Sequence, residues 1–153
     1  MKGLFITMEG PDGAGKTTVI NQLIPLLQKH ALVDIVSTRE PGGSRIAEDI
    51  RKVILDVNNT EMDERTEAIL YAAGRRQHLK DRILPNLEKG NIVFCDRFVD
   101  SSLVYQGVAR GIGVDEVAQL NHFATDGLEP STTLYLDVPA EVGLERIHKA
   151  RGN

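Results

Sequence analysis

The chain of 153 residues has a single cysteine, Cys95, so no disulfide can form within it. Sparse cysteine suits a reducing compartment. Inside an apolar run, a lone thiol reads as a small buried hydrophobe rather than a nucleophile. No apolar stretch approaches the about 18 residues that span a bilayer. The basic, apolar and small-residue zones of a signal peptide are missing as well. The expected location is therefore cytoplasmic, with no membrane association. There is no basic excess either: 18 Lys and Arg face 22 Asp and Glu, for a formal net charge of −4. That balance argues against a nucleic-acid or anionic-lipid surface. The four histidines, His30, His78, His122 and His148, follow no metal-site spacing. No repeat, low-complexity tract or linker interrupts the chain, and its length predicts one domain over 1–153.

What is present alternates short apolar runs with amphipathic stretches, the pattern of an α/β fold. Strands are predicted at 4–8, 33–38, 91–95 and 132–138. The run "NIVFC" has the continuous apolar character of a parallel strand buried on both faces. Helices are predicted at 15–30, with Val19, Leu23, Leu26 and Leu27 inward, and at 44–55, with Ser44 as cap. A long helix over 62–89 should kink or break at Pro85. Further helices are expected at 100–107, 114–125 and 140–150, with Val117, Leu120 and Phe123 or Ala124 inward in the second of these. Four strands are one fewer than doubly wound sheets of this kind usually carry.

The stretch "EGPDGAGKTT" follows the first predicted strand and opens the first helix. Gly10, Gly15, Lys16 and Thr17 satisfy G-x-x-x-x-G-K-[ST]. Glycines let backbone N–H groups turn around phosphate oxygens, and the helix N-terminus adds its positive dipole end. The loop Gly10, Pro11, Asp12, Gly13, Ala14, Gly15, Lys16, Thr17 and Thr18 is thus a candidate cradle for the phosphates of ATP. Lys16 would reach the β- and γ-phosphates, and the Thr17 hydroxyl could ligate Mg²⁺. Asp96, at the tip of the third strand, is placed to complete the Mg²⁺ shell.

The loop does not name the acceptor. A guanine-reading N-K-x-D segment is absent, which excludes the switch GTPases. Arg39 and Arg97 fall at carboxyl ends of strands, where open parallel sheets bind ligands, and Arg51, Arg75 and Arg76 lie on nearby helices. Arginine suits bidentate phosphate binding. A phosphate monoester is largely deprotonated at neutral pH, so such an acceptor needs cations and no general base. A hydroxyl acceptor would want a carboxylate, for which Glu40 and Asp12 are candidates.

The segments "FITMEGPDGAGKTT", "TREPGG", "AEDIRKVIL", "RTEAILYAAGRRQHL", "FCDRFVDSSLVYQGVARGIG" and "TTLYLDVPAEVGLERI" resemble, in order and along the whole chain, the bacterial thymidylate kinase family. The resemblance implies a P-loop-type parallel sheet with helices on both faces, and transfer of the ATP γ-phosphoryl group to dTMP with Mg²⁺. It implies that Arg97 and Arg51 hold the dTMP phosphate and that Arg75 and Gln106 bond the thymine edge. Tyr71 would stack on the base and Ser102 would line the pocket beside it. Asp12 and Glu40 would sit near the sugar and acceptor phosphate, with Lys16, Arg97 and Glu40 as the catalytic set. It also implies a homodimer through the 62–89 and 114–125 helices. Two features depart from the family pattern: "DRF" replaces the usual Tyr or His with Phe98, and the loop has no arginine. The family then supplies that cation from a lid, which would begin near Arg146 to Arg151, followed by a fifth strand and C-terminal helices. The expectation is therefore a C-terminally incomplete kinase domain. The readings kept beside it are a kinase of nucleoside hydroxyls, with Glu40 as base, and a non-catalytic nucleotide-binding fragment.

Overall fold

The computed structural model describes residues 3–152. Four parallel strands, β1 (Leu4–Glu9), β2 (Ile35–Arg39), β3 (Ile92–Asp96) and β4 (Thr132–Tyr135), stand in the order β2-β3-β1-β4. β1 pairs with β3 from Leu4↔Ile92 to Met8↔Asp96, and β2 with β3 from Ile35↔Ile92 to Arg39↔Asp96. These registers bring the carboxyl ends of β1, β2 and β3 to one edge, so Glu9, Arg39 and Asp96 emerge together there.

The helices are α1 (Lys16–Gln28), α2 (Arg45–Leu55), α3 (Glu64–His78), α4 (Leu84–Glu88), α5 (Val99–Ser102), α6 (Val114–Thr125) and α7 (Ala140–Ala150). Val93, Phe94 and Cys95 are buried in succession, as a central parallel strand requires. Phe5, Val93 and Cys95 point to one face and join Leu79, Ile83, Leu87 and Phe98 in the main core.

Several expectations need correcting. The predicted long helix does not break at Pro85. A π-helical segment, Leu79–Ile83, precedes it and α4 resumes with Pro85 in its first turn. The wider i→i+5 turn leaves room for the prolyl ring and its missing N–H. A second π segment, Leu103–Ala109, continues α5, where a single short helix was predicted. On α1 the inward stripe runs through Lys16 and Ile20, so Leu27 lies at its margin and Leu26 is 57% exposed. On α6 the stripe is Val117, Asn121 and Ala124, at i, i+4 and i+7. Phe123 falls about a quarter-turn outside it and is 86% exposed. Ser44 stands at the start of α2 but its hydroxyl caps nothing. Glu48, inside the helix, instead ties down the incoming loop, accepting the Gly43 N–H at 2.9 Å.

Candidate active site

The loop between β1 and α1 is held open by backbone geometry. Gly10, Gly13 and Gly15 have φ of 154°, 76° and 94°, values an L side chain resists. Gly15 precedes α1 without a side-chain cap, so the first-turn N–H groups of the helix are left for another partner. Lys16 is buried and donates to the Gly10 and Pro11 carbonyls at 3.1 and 3.2 Å. Burial, and then the Arg97 guanidinium, push the Lys16 ammonium below its ordinary pKa. A cation so placed favours an incoming anion. Ala14 is buried under the loop, while Asp12, Thr17 and Thr18 are exposed. Thr17 Oγ1 donates to Asp96 Oδ2 at 3.4 Å, and the buried Asp96 Oδ1 has no partner.

Beside this loop lies a cavity of about 970 Å³. Its lining includes Asp12, Glu40, Arg51, Tyr71, Arg75, Asp96, Arg97, Ser102 and Gln106, so every residue predicted for the acceptor meets in one space. The lining carries several arginines. Arg97 has φ +69° and ion-pairs with Asp12 of the loop, donates to Ser101 at 3.2 Å, and lies 5.4 Å over the Tyr105 ring. Arg51 donates to the Pro41 carbonyl at 2.7 Å. Burial, with Arg39 close by, lowers the Arg51 pKa from its ordinary value. Arg39 itself turns outward to Glu48 at 3.2 Å, and Arg76 reaches the Ala124 carbonyl at 3.4 Å.

Another part of the lining is deeply buried. Arg75, Ser102 and Gln106 are at most 3% exposed. Arg75 donates Nε to Glu40 at 2.6 Å and Nη1 to Ser102 at 3.1 Å, and it also bonds Asn121. Its guanidinium lies 5.1 Å from the centre of the Phe98 ring. Phe98 packs edge-on against Phe5, so the position that departs from the family pattern is a core aromatic and a platform for Arg75. The Gln106 carbonyl oxygen is buried with no partner. A buried unpaired acceptor on a cavity wall is an opening for a donor from a ligand. Burial, and then Glu67, raise the Tyr71 pKa, so its ring enters the cavity as a neutral phenol.

Glu40 is differently employed than a base would be. It is 5% exposed, with Oε1 bonded by Arg75 and Oε2 by His78 at 2.7 Å. Glu40, His78 and Cys95 bring three ligating atoms within 4.8 Å of one another. All those donors are spent, however: His78 Nε2 meets Thr38 at 2.6 Å and Cys95 donates to the Arg97 carbonyl at 3.1 Å. The cluster is a polar core behind the site.

Sequence reasoning missed Glu9, Ser101, Asn121 and Tyr105. Glu9 accepts the Phe98 N–H at 2.6 Å and the Ser101 hydroxyl at 2.5 Å, which fixes the turn carrying Arg97. Its strand-end position beside the glycine loop was the available signal. Asn121 could have been suspected from its place on the inward stripe of α6. Gly143, on α7, is the other omission: Gly13 and Gly143 abut so closely that a Cβ on Gly13 would lie 2.2 Å from the Gly143 carbonyl. Arg146, expected near the start of a lid, donates to the Gly13 and Ala14 carbonyls at 3.3 and 3.4 Å.

A glycine loop preceding a helix at the carboxyl edge of a parallel sheet, beside a cavity lined by Arg51, Arg75 and Arg97, defines a P-loop kinase of a phosphorylated acceptor. The family model for thymidylate kinase matches residues 8–153. The chain is 61% identical to the thymidylate kinase of Latilactobacillus sakei over 153 residues, covering all of this chain and 72% of that protein. It is 60% identical to the thymidylate kinase of Enterococcus faecalis over 151 residues, covering 99% and 71%. The crystal structure of thymidylate kinase from Ehrlichia chaffeensis superposes with a TM-score of 0.83 at 36% identity, covering 99% of this chain and 85% of that one. The chain belongs to the thymidylate kinase family.

Proposed function

We propose the following assignment of residues to the thymidylate kinase reaction, in which ATP phosphorylates dTMP to dTDP. The cavity takes dTMP with its base toward Arg75, Gln106 and Ser102 and its phosphate toward Arg97 and Arg51. Tyr71 stacks on the base, and Asp12 meets the acceptor side. The observation that carries this orientation is the unpaired buried Gln106 oxygen on the cavity wall. A base edge offering an N–H would satisfy it, and an edge lacking one would leave it orphaned, which is a strong basis for discrimination.

The loop from Gly10 to Thr18 holds the ATP phosphates through its N–H groups, with Lys16 as the mobile cation. Thr17 and Asp96 fit Mg²⁺: a hydroxyl and a carboxylate stand together, and one carboxylate oxygen is unpaired. When bound there, the ion would neutralise phosphate charge. Arg97 lies between the loop and the cavity, where it can join two anions and stabilise charge spreading over the transferred group. A phosphate acceptor gives up no proton, which accords with a Glu40 whose oxygens are both engaged. Glu40 therefore orients Arg75 rather than acting as a base. We place the activity in the cytoplasm, on a single kinase domain. No described helix is long and apolar enough to cross a membrane. Homodimer formation through α3 and α6 is supported by Ile69 and Phe123, exposed apolar side chains on those helices.

Calorimetric titration of dTMP into the full-length protein tests the phosphate assignment. Arg97→Ala should weaken binding about tenfold to a hundredfold, the loss of charged hydrogen bonds of about 1.5–3 kcal/mol, with the melting temperature unchanged. Undiminished affinity would remove Arg97 from the acceptor site.

A further inference from the structure

Four side chains from β2, the loop after it and α3 form a line of hydrogen bonds that runs Thr38–His78–Glu40–Arg75. Thr38 lies next to the end of β2, Glu40 directly follows the strand, and Arg75 and His78 lie one turn apart on α3. His78 is 0% exposed. Its Nδ1 is 2.7 Å from Glu40 Oε2 and its Nε2 is 2.6 Å from Thr38 Oγ1. Since the carboxylate oxygen can only accept, Nδ1 carries the proton in this pair. Arg75 Nε takes the other Glu40 oxygen at 2.6 Å. Residues three apart on a helix share a face, so α3 presents two donors to one carboxylate.

The ring is also wedged from the loop side. Gly43 has φ +96°, and a Cβ there would lie 2.2 Å from His78 Nε2 and 2.4 Å from Cδ2. Only a glycine lets this loop backbone reach the imidazole, and the contact keeps the ring from turning away from Glu40.

We propose that His78 is a positioning residue for recognition of the dTMP base: by holding one oxygen of Glu40 it fixes the carboxylate that aims Arg75. Without the Nδ1 donor, Oε2 is a buried acceptor with no partner. The carboxylate can recover a partner only by rotating, and rotation disrupts its bond to Arg75. The proposal rests on the assignment of Arg75 to the base edge, and the test separates the two.

The enzymatic readout is KM for dTMP and for ATP, with kcat and melting temperature, in the full-length protein. The amide nitrogen of Asn can stand where Nδ1 stands, whereas that of Gln falls near Nε2. His78→Asn should therefore keep KM for dTMP within about twofold of wild type. His78→Gln should raise it about tenfold without changing KM for ATP. In an Arg75→Ala background, His78→Gln should add nothing. If His78→Gln does not fold, Thr38→Val, which frees the ring's far nitrogen, should raise KM for dTMP about threefold; no rise overturns the proposal. Equal effects of Asn and Gln, a parallel rise in KM for ATP, or additivity with Arg75→Ala would each show His78 to be merely structural. An Arg75→Ala variant with unchanged KM for dTMP would overturn the base-edge assignment itself, and the role of His78 with it.

Discussion

Gly143 sits inside α7 with ordinary helical geometry, so local physics favours replacing it with alanine. The substitution should add about 1 kcal/mol of helix stability. Tertiary structure opposes this. A Cβ at Gly143 would stand 2.3 Å from the Asp12 carbonyl oxygen, a backbone atom that no side-chain rotation can move aside. To reach an ordinary contact, α7 and the phosphate loop must separate by about 1 Å, since overpacked sites relax by moving backbone. Overpacking of this kind costs about 1–3 kcal/mol, so the net loss of stability should be small, about 0–2 kcal/mol. The displacement falls on the loop itself, whose Gly13 and Ala14 carbonyls are also held by Arg146. A misplacement of about 1 Å costs a reacting site on the order of a hundredfold. Gly143→Ala should therefore reduce kcat/KM for ATP by roughly tenfold to a hundredfold with little change in the affinity for dTMP. Steady-state kinetics, calorimetry and a thermal melt would measure the three. A raised melting temperature with unchanged kcat/KM would refute the reasoning, because helix propensity would then have won without moving the loop.

Gln106→Leu removes a buried acceptor that has no partner in the chain. It should leave the melting temperature unchanged or raised while weakening dTMP binding by about tenfold or more; a destabilised variant with normal affinity would reassign Gln106 to the core. Glu9 gives a pH signature. Burial is the main cause that raises its pKa above the usual 4.5, so its contribution to stability is full below that value and is lost as pH rises through the folded-state pKa. The melting temperature of wild type relative to Glu9→Gln should fall as pH is raised from about 4 toward about 8; a flat or rising difference would contradict the burial of that carboxyl.

Much of the fold was legible because α/β chains write their elements in distinct periods. The buried β3 showed as an unbroken apolar run, and α6 has the bounds its periodicity gave. The phosphate loop was legible because its glycines are required locally by backbone conformation. The arginines were legible by position at strand ends, where the topology brings ligands. What was hidden depends on tertiary placement. Leu26 was misassigned, and the choice between Phe123 and Ala124 stayed open, because only the neighbouring elements fix which side of a helix is buried. The second employment of Glu40 could not be seen because its partners, Arg75 and His78, lie 35 and 38 residues away. The close approach of Gly13 and Gly143 joins residues still more distant. The π segment before Pro85 reconciles a proline with a continuous helix, an outcome that local rules leave undecided.

The central claim is that the acceptor is a nucleotide phosphate, bound by arginines and needing no base. ADP release by the full-length protein, with dTMP, thymidine and AMP compared at equal concentrations, tests it most directly. The account predicts turnover with dTMP and near-background rates with thymidine and AMP. Thymidine turned over as fast as dTMP would show a hydroxyl acceptor, and AMP turned over as fast would show that Arg75, Ser102 and Gln106 do not read the base.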